Sequence, residues 1–289
     1  MIQKRFRQKG LTLVELMISL ALGLVISAAV IQILVSNSVT DSLNRAIAST
    51  QENGRYLMSR LRQDLMMVGF YDSLDPNLST FVDITEEEAF VRARPVLLPG
   101  DFVAAALMGS EEGGAATSND TLMVGFQGAR DCRGLKLGYA ADEEFYVVNQ
   151  YFVEDNKLKC RGADGRVLRG QKAAVGDSGG AAMTLLDEVY GFQVLYGITD
   201  PTAPGNRGTP ARYIDASNLE AAYDANSQVV AIRLAFLVKG EGEATISEAA
   251  SFKLLDEAAF TVSDKGLYKA FETTITLRNM KNFSRGSVI

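Results

Sequence analysis

The stretch Lys9-Gly10-Leu11-Thr12-Leu13-Val14-Glu15-Leu16, with the apolar run it opens as far as Val35, decides the fold. Ahead of it Lys4, Arg5, Arg7 and Lys9 form a basic leader that faces no acidic residue and is closed by Gly10. About 25 residues at a rise of roughly 1.5 Å give about 37 Å of helix. A bilayer core needs only about 30 Å, so the segment is long enough to span with some tilt. Glu15 is the only ionisable side chain within 11–35. A lone carboxylate in a membrane helix is costly and is therefore a functional candidate. A cleaved secretory signal fits less well, because its apolar core is shorter and is cut on its far side. Here Val30 to Val35 continue apolar beyond Ser27-Ala28-Ala29, the loose match to such a cut. A plain anchor accounts for the length but for neither Gly10 at the edge nor Glu15 inside, and a buried core helix rarely runs this long without charge.

The glycine, apolar run and glutamate at this spacing resemble the class III leader of type IV pilins and type II secretion pseudopilins. That resemblance implies that a membrane prepilin peptidase cuts between Gly10 and Leu11, N-methylates Leu11, and leaves Glu15 as the fifth mature residue. Leu11 stands where most members carry Phe. Further along, Gln51-Glu52-Asn53-Gly54-Arg55, then Asp64-Leu65, Gly69 and Tyr71, resemble the PilW-type minor pilins. Gly125-Phe126-Gln127-Gly128 through Asp131-Cys132, Leu158-Lys159-Cys160 and the closing Thr276-Leu277-Arg278-Asn279 extend the same resemblance to the middle and end of the chain.

Composition agrees with an exported, tethered protein. The 289 residues carry a formal net charge of −6. Removing the leader's +4 leaves −10, with no basic cluster, which argues against nucleic acid as a main partner. Four basic residues before the span hold the N-terminus in the cytoplasm and place the rest outside. The chain has two cysteines, Cys132 and Cys160. In an oxidising compartment a disulfide is the natural reading, and closing about 28 residues would stabilise the fold by roughly 3–4 kcal/mol. Two free buried thiols are the alternative; zinc is poorer still, because no His and no further Cys exist to complete a site.

Beyond the apolar run the helical pattern continues. Leu43, Ile47, Thr50, Gly54, Leu57, Leu61, Leu65 and Val68 recur at spacings of three and four, with charged and polar residues between. Thr50 and Gly54 thin this stripe and predict a close approach or slight bend. The expectation is one helix over about 11–69, divided into a membrane half (11–35) and an amphipathic continuation (36–70). After it comes a β-rich head (71–289), and before it the leader (1–10). In the head, 121–127, 145–153, 157–161, 188–198, 229–238 and 273–277 read as strands. Asp155-Asn156 turns the second into the third, 217–223 reads as a short helix, and 72–116 is less regular, with a polar loop at 109–119. This order predicts an α+β fold, a ladle in which a long helix packs on a mainly antiparallel sheet.

No catalytic, cofactor-binding or metal-binding residue emerges. Gly176-Asp177-Ser178-Gly179-Gly180 matches the pentapeptide around a serine nucleophile, but the general base is missing: the chain contains no histidine, and nothing organises Lys172 in its place. The stretch reads as a flexible turn. The run Glu86-Glu87-Glu88 reads as a solvated face, and neither a calcium loop nor a phosphate-binding loop is present in the sequence.

The resemblance implies a non-enzymatic minor pilin in a tip or priming complex that starts type IV pilus assembly, with twitching motility and adhesion downstream. Its partners would be other minor pilins, the major pilin, the prepilin peptidase and the inner-membrane assembly machinery. Its location would be the inner membrane, head in the periplasm, and then the surface pilus near the tip. A head of roughly 220 residues is large for a repeating subunit, since domains commonly run about 100–150. A minor pseudopilin of a type II secretion system is the nearest rival. A membrane-anchored periplasmic enzyme or binding protein is the remote one, and it leaves the Gly10–Glu15 spacing as coincidence.

Overall fold

The structure, a computed structural model, describes residues 10, 12–105, 107–114, 117–202, 208–242 and 250–280. Helix α1 (Leu13–Leu65) is one unbroken rod of 53 residues, about 80 Å long at helical rise. Residues 13–41 are exposed along their whole length. The second half of the helix buries Ala46, Thr50, Gly54, Leu57, Leu61 and Leu65 along one stripe. Two positions shift from the sequence reading: Ile47 turns 38% of its surface outward and Leu43 is half-buried, while the small Ala46 takes the seam. The close approach is found at both thin places. A Cβ on Gly54 would lie 2.2 Å from the ring of Phe271, and Gly240 presses so near that a Cβ there would lie 2.6 Å from the Ala46 carbonyl oxygen.

The helix ends at Leu65 rather than 69. The chain then turns through Gly69, whose φ of +72° favours glycine, and its N–H donates to the Gly125 carbonyl. From the other end of the chain Asn279 donates its Nδ2 to the carbonyls of Met66, Met67 and Val68, at 3.2, 3.3 and 3.3 Å. These carbonyls belong to the cap and the turn that follow the helix, and that of Met67 also accepts from the Phe70 N–H at 2.9 Å.

The head holds two antiparallel four-stranded sheets. The first runs in the order β1 (Leu122–Gly128), β2 (Phe145–Glu154), β3 (Lys157–Asp164), β4 (Met183–Asp187). Asp155 and Asn156, with φ of 54° and 56°, make the two-residue turn between β2 and β3. The second sheet runs β10 (Tyr268–Thr276), β7 (Val229–Lys239), β5 (Val189–Ile198), β6 (Arg212–Ile214). A two-stranded flap, β8 (Ser251–Phe252) with β9 (Phe260–Thr261), stands apart. One core gathers Leu57, Leu61 and Leu65 of α1, Val124 and Leu158 of the first sheet, and Leu234, Phe236 and Ile275 of the second. Each such buried side chain contributes about 1.5–3 kcal/mol, so helix and both sheets stabilise one another. Cys132 and Cys160 are buried in that core and joined by a disulfide.

Region 72–116 carries a helix the sequence did not announce, α2 (Ile84–Ala93), capped by Asp83, whose carboxylate accepts from the N–H groups of Thr85 and Glu86. The acidic run is therefore not a uniformly solvated face. Helical spacing turns Glu87 and Val91 inward together, and Glu87 is fully buried against Arg166 of α3 (Gly165–Leu168). Ala216–Asn218 forms a 3-10 turn leading into α4 (Leu219–Asp224).

Candidate functional site

At the start of α1, Thr12 is the N-cap. Its N–H and its hydroxyl both donate to Glu15 Oε2 at 2.9 Å, while the Glu15 N–H donates back to the Thr12 oxygen at 3.3 Å. This reciprocal capping box fixes the first turn and holds the carboxylate beside the helix N-terminus, where the dipole favours negative charge. Gly10 is exposed, and among the described residues beyond its chain neighbours none comes within 4 Å of where a Cβ would stand. Leu11, the expected cleavage and methylation position, lies outside the described residues, as do the basic leader positions.

From Leu13 to Val39 every large apolar side chain is half exposed or more. An 18-residue window of this helix has a mean hydropathy of 2.5, and no part of it is buried against the head. Covering such a surface is worth on the order of tens of kcal/mol, so it is matched to a lipid core or to other apolar helices.

The head contributes a second surface. A cavity of about 580 Å³ lies between α1 and the loop that carries Cys132, lined among others by Arg60, Asp64, Met67, Phe126, Arg130 and Met183. Most of its charges are spent internally. Arg60 donates to the Cys132 carbonyl at 2.8 Å and pairs with Asp64 at 3.2 Å, and the Tyr151 hydroxyl also donates to Asp64, at 2.8 Å. Burial pushes the Asp64 carboxyl up despite these donors. Arg133 is almost fully buried, and it bridges Asp131 at 2.7 Å and Asp177 at 2.8 Å. The disulfide loop is thus fastened to the helix on one side and to the loop at 176–180 on the other.

That second loop is a turn, as the sequence suggested, and it is tied to β3. Ser178 accepts from the Asp164 N–H at 3.0 Å, and the Gly179 N–H donates to the Gly162 carbonyl at 3.0 Å. Lys172 reaches Asp164 at 3.4 Å and lies over the Tyr139 ring, so its ammonium is engaged there. Among the described residues no three His, Cys, Asp or Glu side chains converge on a metal-sized point.

The sites read from sequence are not brought together. Glu15 and the disulfide loop sit at opposite ends of the rod, separated by roughly 65 Å of helix. Three structural anchors escaped the sequence reading: Gly240 against Ala46, Asn279 at the helix end, and the Glu87–Arg166 pair. Asn279 did lie in a quoted motif, but no rule of spacing gives its role.

Comparison with known proteins adds two family profiles. One, described as type IV pilus-assembly protein W, matches residues 144–279; the other, the prokaryotic N-terminal methylation motif, matches residues 5–31 and so spans Gly10, Leu11 and Glu15. Among solved structures, a type IV-like pilin from Thermus thermophilus is 14% identical, with a TM-score of 0.37, over 78% of this chain and 95% of that one. No curated protein sequence matches the chain.

Proposed function

For this chain, a type IV pilin-like protein with a PilW domain and an N-terminal methylation leader, we propose the role of a minor pilus subunit that waits in the inner membrane and joins a priming complex for filament assembly. The observation that carries the reading is the continuity of α1. One helix presents an uncovered apolar half and, without a break, a second half locked into the head. Such a subunit can leave the bilayer only by exchanging lipid for other apolar helices, and the head travels with it as a rigid load.

Cleavage after Gly10 removes four positive charges that resist withdrawal from an anionic cytoplasmic face. It also makes Leu11, one residue ahead of the Thr12 cap in sequence, the new N-terminus, four residues before Glu15. Methylation keeps that amine charged. In a bundle of helices the carboxylate pairs with such an amine, its own or a neighbour's, and an ion left unpaired in an apolar surround is costly. Axial register then has an energy. The retained Glu15 and the large head support a place near, but below, the extreme tip.

The test is a deletion strain scored in parallel for sheared surface pili and for secreted exoproteins. Lost pili with normal secretion supports the pilus role; lost secretion with intact pili assigns the chain to a secretion pseudopilus and refutes it. Within the same strain, Glu15→Ala is expected to be cleaved normally yet to be absent from sheared filaments. Normal incorporation of that variant would sink the register argument.

A further inference from the structure

The cavity between α1 and the Cys132 loop has an apolar wall that the head leaves uncovered. Tyr56, Met67 and Met183, which line it, keep 50%, 41% and 39% of their surfaces bare. Its charges are unequally spent. Arg60 and Tyr151 hold Asp64, and Arg133 holds the buried Asp131. Arg130, in contrast, is exposed. Among the described residues its guanidinium makes one bond, to the Gly134 carbonyl at 2.8 Å, and no ion pair. The opening therefore combines an apolar hollow with an unanswered positive charge, the composition of a surface that receives a partner.

A second surface begins at the edge of the first. Past α1, the Gln127 N–H donates to the Phe70 carbonyl at 2.8 Å, and Gln127 Oε1 accepts from the Asp72 N–H at 2.7 Å. Met67 and Phe126 belong to the cavity wall, so the loop Asp72-Ser73-Leu74-Asp75 leaves the head beside that wall. The loop is shaped by its own carboxylates. Asp72 Oδ1 accepts from the Leu74 N–H at 3.0 Å, and Asp75 Oδ1 from the Asn77 N–H at 2.8 Å. Between these two acids Leu74 is 89% exposed, so it does not fill the hollow of its own chain. Of the bare apolar side chains on the described head it is the one with a carboxylate close on either side. An apolar knob edged with negative charge thus stands next to an apolar hollow edged with positive charge.

We propose that two copies of this chain pair side by side about a two-fold axis running along α1, each seating Leu74 in the other's cavity. Asp72 and Asp75 of one copy then face Arg130 of the other. Because knob and hollow lie together on one chain, every contact is made twice, as an isologous interface requires. The same axis leaves the uncovered apolar halves of both α1 helices pointing into one membrane. Chains confined there meet at high effective concentration, so a modest contact between heads is enough to hold the pair. The pairing goes beyond the filament role, since a chain that stays in the membrane without ever being assembled would form it as well.

Sedimentation of the full chain in detergent tests this, with wild type beside Leu74→Ser and Arg130→Glu, both at exposed positions. Wild type is expected to run as a dimer, and each variant to bind its like at least about ten-fold more weakly. A monomeric wild type would overturn the pairing. So would a dimer of unchanged affinity in both variants, since the apolar half of α1 and not the head would then hold it. Crosslinking reads the contact itself. When Leu74→Cys and Met183→Cys chains are co-expressed, a short bismaleimide is expected to join unlike chains, and to leave either variant unjoined when it is expressed alone. The native cysteines are bonded to each other and do not react. No joined product from the co-expressed chains would overturn the proposal, as would joining of Leu74→Cys to itself, because the two loops would then meet each other instead of the cavities.

Discussion

Replacing Glu87 by Gln removes one charge from the best-enclosed ion pair in the head while leaving its shape. The Glu87 carboxylate accepts from Arg166 Nε at 2.8 Å, from Arg166 Nη2 at 2.7 Å and from the Tyr71 hydroxyl at 2.7 Å. Arg166 also donates to the Ser79 carbonyl at 2.8 Å, and both charged side chains are fully buried. With the carboxylate gone, the guanidinium stays in a dry site with no counter-charge, and the new amide turns donors towards donors. Breaking a buried pair from one side costs about 3–5 kcal/mol. A head of this size would lose roughly 6–20 °C in melting temperature. Thermal unfolding of the detergent-solubilised chain, wild type beside Glu87→Gln, measures it. The double variant Glu87→Leu with Arg166→Met should recover most of the loss, because a well-packed apolar pair replaces the ions without a stranded charge. A single variant within about 1 kcal/mol of wild type, or a double variant no better than the single, would refute this account of how α2 is held.

Other consequences are equally direct. Gly240→Ala should cost about 1–3 kcal/mol by overpacking, since the added carbon meets the backbone of α1 at Ala46, which cannot rotate away; an unchanged denaturant midpoint would show that the seam is looser than it looks. Replacing Cys132 and Cys160 together by Ser opens a bond spanning 28 residues and should lower stability by roughly 3–4 kcal/mol, read from the shift of the same midpoint.

Where the sequence is legible, the signal is local and repeated. The stripe through Leu57, Leu61 and Leu65 shows α1 at a glance, and Asp155-Asn156 between two β-branched runs shows the hairpin. The error at Ile47 has a simple cause: the seam there is held by Ala46, and alanine leaves no mark in a hydrophobic pattern. The turn that follows α1 is held by Asn279, 213 residues away from Met66, so nothing nearby announces that contact. Helix α2 hides for a related reason, because its inward face is a glutamate whose partner lies 79 residues downstream. Strands β4, β6, β8 and β9 are too short, or too exposed, to impose an alternating pattern of their own. Gly10 and Glu15 stand out because their meaning lies in a fixed spacing.

The contact of Asn279 with the turn after α1 also sets an order of events as the chain is made. The inward stripe of the helix is translated early, yet much of its cover comes from β7, β10 and the final turn. Until the chain reaches residue 280, the cover over Leu57, Leu61 and Leu65 is incomplete. Contacts of such long sequence separation form slowly and leave apolar surface open in the meantime. A nascent chain held in the bilayer by its first half is kept away from its neighbours during that wait. Membrane tethering then serves the folding of the head as well as anchoring it.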